Sequence, residues 1–110
     1  MITSNEIQQL IGEELIEEKF DNWHGITLAN IHNYLLKPIL KEYIRAADGL
    51  LGKYWLVLDE CPNDKVNGYQ IIFDEVEQEF GLAVKSNMAN EEFGTMLGFY
   101  GSFTDTLNNM

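Results

Sequence analysis

Residues 54–84 read YWLVLDECPNDKVNGYQIIFDEVEQEFGLAV, and this stretch decides the fold. It contains short runs rich in β-branched and aromatic residues, which alternate with turn formers such as Asn67-Gly68. Runs of this length between turns are typical of β-strands in an antiparallel meander. Together with a similar run nearer the C-terminus, the pattern predicts about four strands, at residues 54–59, 69–74, 80–84 and 95–100.

The N-terminal part of the chain has the period of a helix instead. Thr3 and Glu6 have the T-x-x-E spacing of a capping box, which predicts a helix from about Ser4 to about Glu17. Glu14 projects onto the middle of the apolar face of this helix, which interrupts its hydrophobic stripe. The apolar positions of that face are Ile7, Leu10, Ile11 and Leu15.

The segment at residues 27–49 fits both a helix and a strand. Thr27 can cap a short helix, which Pro38 would end because proline lacks a backbone N–H. A second helix that restarts at Pro38 would place several apolar residues on one face and stop at Gly49. An extended segment at residues 38–48 is the alternative.

The order of these elements predicts one α+β domain over residues 1–110. N-terminal helices would pack on one face of a mostly antiparallel sheet. Ser102 and Asp105 repeat the capping spacing, so a short helix is expected to close the chain. No linker or internal repeat divides the 110 residues into two parts.

The net charge of the chain makes two classes of function, nucleic-acid binding and membrane binding, unfavourable. The chain carries 18 acidic and 7 basic residues, for a net charge of −11. Nucleic acids and anionic membranes would repel such a protein, because both are bound through basic residues. Without an N-terminal signal or a bilayer-spanning apolar run, and with Cys61 as its one cysteine, the chain is expected to be soluble and cytoplasmic.

Two pairs of carboxylates offer the best catalytic hypothesis. Asp59-Glu60 and Asp74-Glu75 each end a predicted strand, and neighbouring carboxylates can divide acid and base roles. In a hairpin, however, the two pairs fall at opposite ends of the sheet, roughly 17 Å apart. The sequence therefore predicts no shared carboxylate site, and we expect no catalytic residues.

Metal and cofactor sites also lack a signature. His24 and His32 have no cysteine or acid at a recognised ligand spacing. Cys61 precedes a proline in a turn and has no nearby histidine to activate it. No phosphate-binding glycine motif is present, so we expect no cofactor.

The acidic residues are concentrated in two clusters. One lies in the predicted first helix and the other at a predicted hairpin tip, where side chains are free to meet a partner. Ordinary solubility is the competing explanation. The partner-binding candidates are Asp74, Glu75, Glu77 and Glu79 at the tip, and Glu13, Glu14, Glu17 and Glu18 in the helix.

The strand and turn strings of the second half resemble a family of small bacterial orphan proteins. They include residues 54–60, 68–75, 80–85 and 98–107, and the resemblance covers about half the chain, from Tyr54 to Met110. Some members of that family are immunity proteins encoded beside polymorphic or contact-dependent toxins. The resemblance implies an inhibitor that occludes a toxin by protein contact, without a cofactor or catalytic residues.

The negative charge of the chain and its resemblance to the immunity-protein family lead to the same hypothesis. An acidic inhibitor would associate quickly with a basic toxin domain, since opposite charges steer the encounter. We therefore expect an immunity protein that neutralises a toxin through its acidic surface. The alternatives are a self-associating adaptor subunit that uses an apolar sheet face or edge, and an enzyme or small-ligand binder with a scattered site.

Overall fold

The computed structural model describes residues 2–17, 26, 30–61, 63, 68–85 and 94–109. Its elements in chain order are α1 (Ser4–Glu17), a 3₁₀ turn (Ile31–Asn33), β1 (Leu35–Arg45), β2 (Leu51–Asp59), β3 (Tyr69–Asp74), β4 (Glu79–Val84), β5 (Gly94–Gly101) and α2 (Phe103–Asn108). The α+β class is confirmed. The described strands number five rather than the predicted four, and they close into a barrel in chain order.

Sequential strands pair antiparallel, while β1 and β5 close the barrel in parallel. That closing ladder is short, pairing Tyr43 with Gly94 and Arg45 with Met96 at its ends. β2, β3 and β4 pair over longer stretches. Among the described residues, no helix is long and apolar enough to cross a lipid bilayer.

β1 corrects the helical prediction for residues 38–48. Residues 39–44 of β1 pair antiparallel with residues 51–56 of β2, so the extended alternative is the right one. Pro38 lies where the register shifts between Leu35 and Ile39, a position that tolerates a missing N–H. Gly49, expected to end a helix, instead occupies the β1–β2 turn with φ 73°.

The first predicted helix is confirmed, whereas the described residues of the second, from 30 onward, form only a 3₁₀ turn before β1 begins. α1 begins where the capping box indicated, and Thr3 Oγ1 accepts the Glu6 N–H at 3.2 Å. Ile31–Asn33 forms a 3₁₀ turn, and Leu35 already belongs to β1. Residues 27–29 lie outside the described part of the chain.

The C-terminal cap is also confirmed. Ser102 has an extended backbone, and its Oγ accepts the Asp105 N–H at 3.1 Å. This hydrogen bond satisfies one free donor at the start of α2. Phe103 and Leu107 of α2 are buried in the core below it.

The sheet has two buried faces. We call the first the helix face, because α1 and α2 cover it; its core residues include Val57, Leu58, Ile71, Phe73, Phe80 and Leu82. We call the opposite one the tyrosine face; its core residues are Tyr43, Tyr54, Ile72, Ala83 and Met96. Burial on both faces explains why β3 and β4 read as continuous apolar runs.

A β-bulge in β2 decides where the end of that strand points. Leu56 lies opposite Ile72 and Leu58 lies opposite Ile71, so Val57 is one extra residue on the β2 side. Both Val57 and Leu58 therefore join the core of the helix face. The extra residue turns Asp59 onto the tyrosine face, directly opposite Gln70.

Candidate functional site

The pair Asp59-Glu60 is part of a buried polar network. One Asp59 carboxylate oxygen lies 2.8 Å from Lys85 Nζ and accepts the Cys61 N–H at 3.0 Å. The other accepts Gln70 Nε2 at 3.3 Å, and Gln70 Oε1 accepts the Tyr43 hydroxyl at 2.8 Å. These contacts tie Asp59 to β3, to Lys85 after β4 and to the loop that follows β2.

The burial of this network marks it as structural. The side chains of Lys85 and Asp59 are 6% and 11% exposed, and Lys85 also donates to the Cys61 carbonyl. Burial raises the pKa of the Tyr43 hydroxyl, and the negative charge of Asp59 raises it further. The chemistry of these groups serves to fasten β1, β2, β3 and the end of β4 together.

Asp74-Glu75 has a different environment at the other end of β3. Asp74 Oδ1 accepts the Val76 N–H at 2.9 Å, which shapes the turn into β4. Val76 is 82% exposed, and Glu77 is exposed beside it. The hairpin tip predicted from the sequence therefore exists, and it exposes Val76 and Glu77. Asp74, Glu75 and Glu79 are half-buried there, and Glu75 Oε2 is withdrawn from solvent.

Like charges face each other across this tip. Asp74 and Glu79 are directly opposite in the β3–β4 register. Two carboxylates in this position repel each other and weaken the hairpin. The tip thus carries a charge arrangement that costs the isolated domain stability.

The first helix brings further acids to the same place. A groove of about 300 Å³ lies between α1 and the β3–β4 turn, and Gln78 of the turn forms one wall. We call this the acidic groove; its lining residues are Ile2, Glu6, Gln9, Leu10, Glu13 and Gln78. Ile2 and Leu10 supply apolar surface, while Glu6 and Glu13 are exposed carboxylates. Glu6 and Glu13 thus share this groove with Gln78, which lies between Glu77 and Glu79 of the hairpin tip, although more than 60 residues separate Glu13 from the turn in sequence.

Glu14 has a structural partner instead. Its carboxylate accepts the backbone N–H groups of Phe103 and Thr104 at 3.1 and 3.2 Å, and the Thr104 hydroxyl at 3.3 Å. A carboxylate in this position caps the start of α2. The glutamate that interrupts the apolar stripe of α1 therefore joins the two helices. The side chain of Glu17 and all of Glu18 lie outside the described residues.

Sequence reasoning missed the contribution of Glu6 and Gln9 to the acidic groove. Glu6, Gln9, Leu10 and Glu13 follow the i, i+3, i+4, i+7 spacing, so they form one stripe along α1. This spacing shows in the sequence that the residues share a helix face. It does not show that the face adjoins the β3–β4 turn, which depends on how α1 docks on the sheet.

A second groove, of about 340 Å³, lies on the other side of α1, against the start of β1. Its walls are mainly apolar, from Ile11, Leu15, Leu35 and Leu36, with His32 and Lys37 among the polar residues. His24 lies outside the described residues. Within the described part of the chain, no three potential metal ligands form a cluster.

Three comparisons with known proteins found no match to this chain. No protein-family model matches the chain. No curated protein and no solved structure matches it either.

Proposed function

We propose that this protein is a protein-binding inhibitor that neutralises a cognate bacterial toxin, as an immunity protein does, by covering it with the acidic groove and the adjoining β3–β4 tip. It acts by occlusion and needs neither catalysis nor a cofactor. One observation carries the proposal: Glu6 and Glu13 of α1 line a groove with apolar surface whose other wall is Gln78, a residue of the acidic hairpin tip. Charge can steer the partner there, and Leu10 and Val76 can anchor it.

The repulsion between Asp74 and Glu79 supports this role. A directly opposed like-charge pair destabilises the hairpin, and a cation from a partner placed between the two carboxylates would remove that cost. Solubility does not require this arrangement, since the same two charges could stand apart on the surface. A binding role accounts for the position of the charges as well as for their number.

A basic partner is the natural counterpart of this surface. Toxins that cleave nucleic acids need cationic residues to grip phosphates, so their substrate-binding surfaces are basic. An acidic protein with a net charge of −11 would associate rapidly with such a surface and exclude the substrate. The proposed partner is therefore a basic toxin domain encoded beside this protein.

Co-expression with the toxin domain of the neighbouring gene tests the proposal. The wild-type protein should restore growth. A variant with Glu6, Glu13, Glu77 and Glu79 all replaced by Gln should protect poorly, because it keeps the groove but loses most of its charge. With the two proteins purified, its association rate should fall by about tenfold or more, with a flatter dependence on salt.

Asp105→Asn is the matched control, since Asp105 is an exposed acid on α2, outside the groove. It should protect like the wild type, and thermal unfolding should confirm that both proteins fold. Undiminished toxicity in the presence of wild-type protein would refute the inhibitor role. Full protection by the quadruple variant would show that the inhibitor acts through another surface.

A further inference from the structure

The β1–β2 hairpin carries an apolar stripe that neither helix covers. On the helix face, Leu40 of β1 lies opposite Trp55 of β2, and Ile44 lies opposite Leu51. Trp55 packs against the helix-covered core, but Leu40 and Leu51 are 43% and 53% exposed. The apolar surface of the core therefore continues along the hairpin beyond α1 and α2.

A charged pair lies between the two apolar pairs. Glu42 is directly opposite Lys53 and shares the face of Leu40 and Leu51. We call this arrangement of three successive pairs the hairpin stripe; it consists of Leu40 with Trp55, Glu42 with Lys53, and Ile44 with Leu51. Its one acid and one base balance, whereas the whole chain has a net charge of −11.

This pattern is complementary to itself. Suppose that two copies pack stripe against stripe about a two-fold axis parallel to the strands. The rotation exchanges the positions of β1 and β2 but keeps each pair at its own level. Glu42 then lies over Lys53 of the second copy, and Leu40 lies over Trp55 of the second copy. Like charges do not meet, and both apolar levels are shielded from water.

We propose that a second copy of this chain occupies the hairpin stripe and forms a two-fold symmetric dimer. The occupant follows from charge complementarity, because two such stripes join Glu42 to Lys53 across the axis and bring no like charges of the stripe together. The stripe supplies six residues from each copy, fewer than the roughly 20–30 per side of a standard interface, so the association is expected to be weak. The proposal is independent of the inhibitor role, since the stripe shares no residue with the acidic groove.

Sedimentation velocity over a series of protein concentrations tests the dimer. The wild-type sedimentation coefficient should rise with concentration towards that of a dimer. Leu40→Ser should weaken association by about tenfold or more, because each dimer loses two buried leucines. Ile39→Ser is the matched control: Ile39 is 56% exposed, adjacent in sequence, but on the tyrosine face. This control should associate like the wild type.

A charge exchange gives an independent test of the two-fold arrangement. Glu42→Lys or Lys53→Glu alone should weaken self-association, because like charges then face each other across the axis. An equal mixture of these two variants should form a heterodimer, since every contact across the axis again joins opposite charges. Each chain keeps its own like-charge pair in the mixture, so a general loss of folding cannot produce this recovery.

Three results would overturn the proposal. The first is a wild-type protein that remains monomeric at every concentration. The second is equal weakening by Leu40→Ser and Ile39→Ser, which would place the contact elsewhere or assign it to nonspecific association. The third is a mixture of Glu42→Lys and Lys53→Glu that associates no more than either variant alone.

Discussion

The ends of β2 and β3 carry the same two residues, an aspartate followed by a glutamate, in two unlike environments. Asp59 is buried beside Lys85, and Glu60 Oε1 accepts the Tyr69 N–H at 3.3 Å. Asp74 shapes an exposed turn and faces Glu79 across the hairpin. Asp59-Glu60 is bound by Lys85 and by hydrogen-bond donors of the fold. Asp74-Glu75 instead lies beside another acid, Glu79.

This difference separates two uses of acidity in one chain. The inner acids, Asp59 and Glu14, each receive several hydrogen bonds or an ion pair, and each joins elements distant in sequence. The outer acids around the acidic groove repel one another. Removing an inner acid should therefore destabilise the protein, whereas removing Glu13 or Glu79, for whose carboxylates no hydrogen bond within the described fold is found, should leave its stability unchanged or raise it.

The largest effect is expected at Asp59. Asp59→Asn removes the charge that compensates Lys85 and leaves a buried ammonium group without its carboxylate. The free energy of unfolding should fall by about 3–5 kcal/mol, measured by urea denaturation. A double replacement of Asp59 by Leu and Lys85 by Met should recover part of this loss. A loss below about 1 kcal/mol in Asp59→Asn would contradict the structural role of the pair.

Neighbouring glutamates in α1 give a sharper comparison. Glu14→Ala leaves the Phe103 and Thr104 N–H groups without their acceptor and should lower the free energy of unfolding by about 1–3 kcal/mol. Glu13→Ala removes an exposed outer acid and should change it by less than about 0.5 kcal/mol. Parallel chemical denaturation of both variants measures the difference. If the two variants lose the same stability, the hydrogen bonds of Glu14 to α2 contribute no more than an exposed glutamate does.

The tyrosine face should make the protein sensitive to alkali. Burial and Asp59 raise the pKa of Tyr43 above its ordinary value of 10.0. The folded protein thus keeps a proton that the unfolded chain releases, so stability is full below pH 10.0 and falls as the pH rises above it. Tyr43→Phe should reduce the slope of unfolding free energy against pH between about 10 and 11. An unchanged slope would remove Tyr43 from this explanation.

Tyr54 should retain a share of that alkaline slope in the Tyr43→Phe variant. Burial raises the pKa of Tyr54; Arg45 lowers it, while Asp74 and Asp48 raise it. Its burial in the tyrosine-face core therefore gives it the same sign of pH dependence as Tyr43. The two residues thus connect the packing of one sheet face to a measurable titration.

The smallest effect is expected at Glu79 and has the opposite sign. Glu79→Gln relieves the repulsion with Asp74, so the free energy of unfolding should rise by about 0.2–1 kcal/mol. Adding salt to the wild-type protein should reduce the difference, because salt screens exposed charges. Thermal denaturation at low and high ionic strength measures both effects. A destabilised Glu79→Gln would show that this carboxylate makes a favourable contact within the fold.

Local signals made much of this fold predictable. Residues 69–74 follow the turn-forming pair Asn67-Gly68, and the two helix caps depend on residues three positions apart. β1 was not predictable in the same way, because Ile39, Leu40, Tyr43 and Ile44 fit both a helical and an extended period. Pairing with β2 decided between them, and such pairing is a tertiary effect.

The candidate functional site was also predictable only in part. The acidic hairpin tip was predictable because its four acids lie within six residues of sequence. Its junction with Glu6 and Glu13 was not, since it arises from the docking of α1. The role of Glu14 also required the position of α2, although its place on the apolar face of α1 already marked it as unusual.

The most direct measurement compares protection with stability in one variant. Cells that express the neighbouring toxin domain would carry the wild-type protein, a variant with both Glu77 and Glu79 replaced by Gln, or Asp105→Asn. The account predicts that the double variant is at least as stable as the wild type and yet restores growth poorly, while Asp105→Asn protects fully. Full protection by the double variant would contradict the claim that the outer acids bind the toxin.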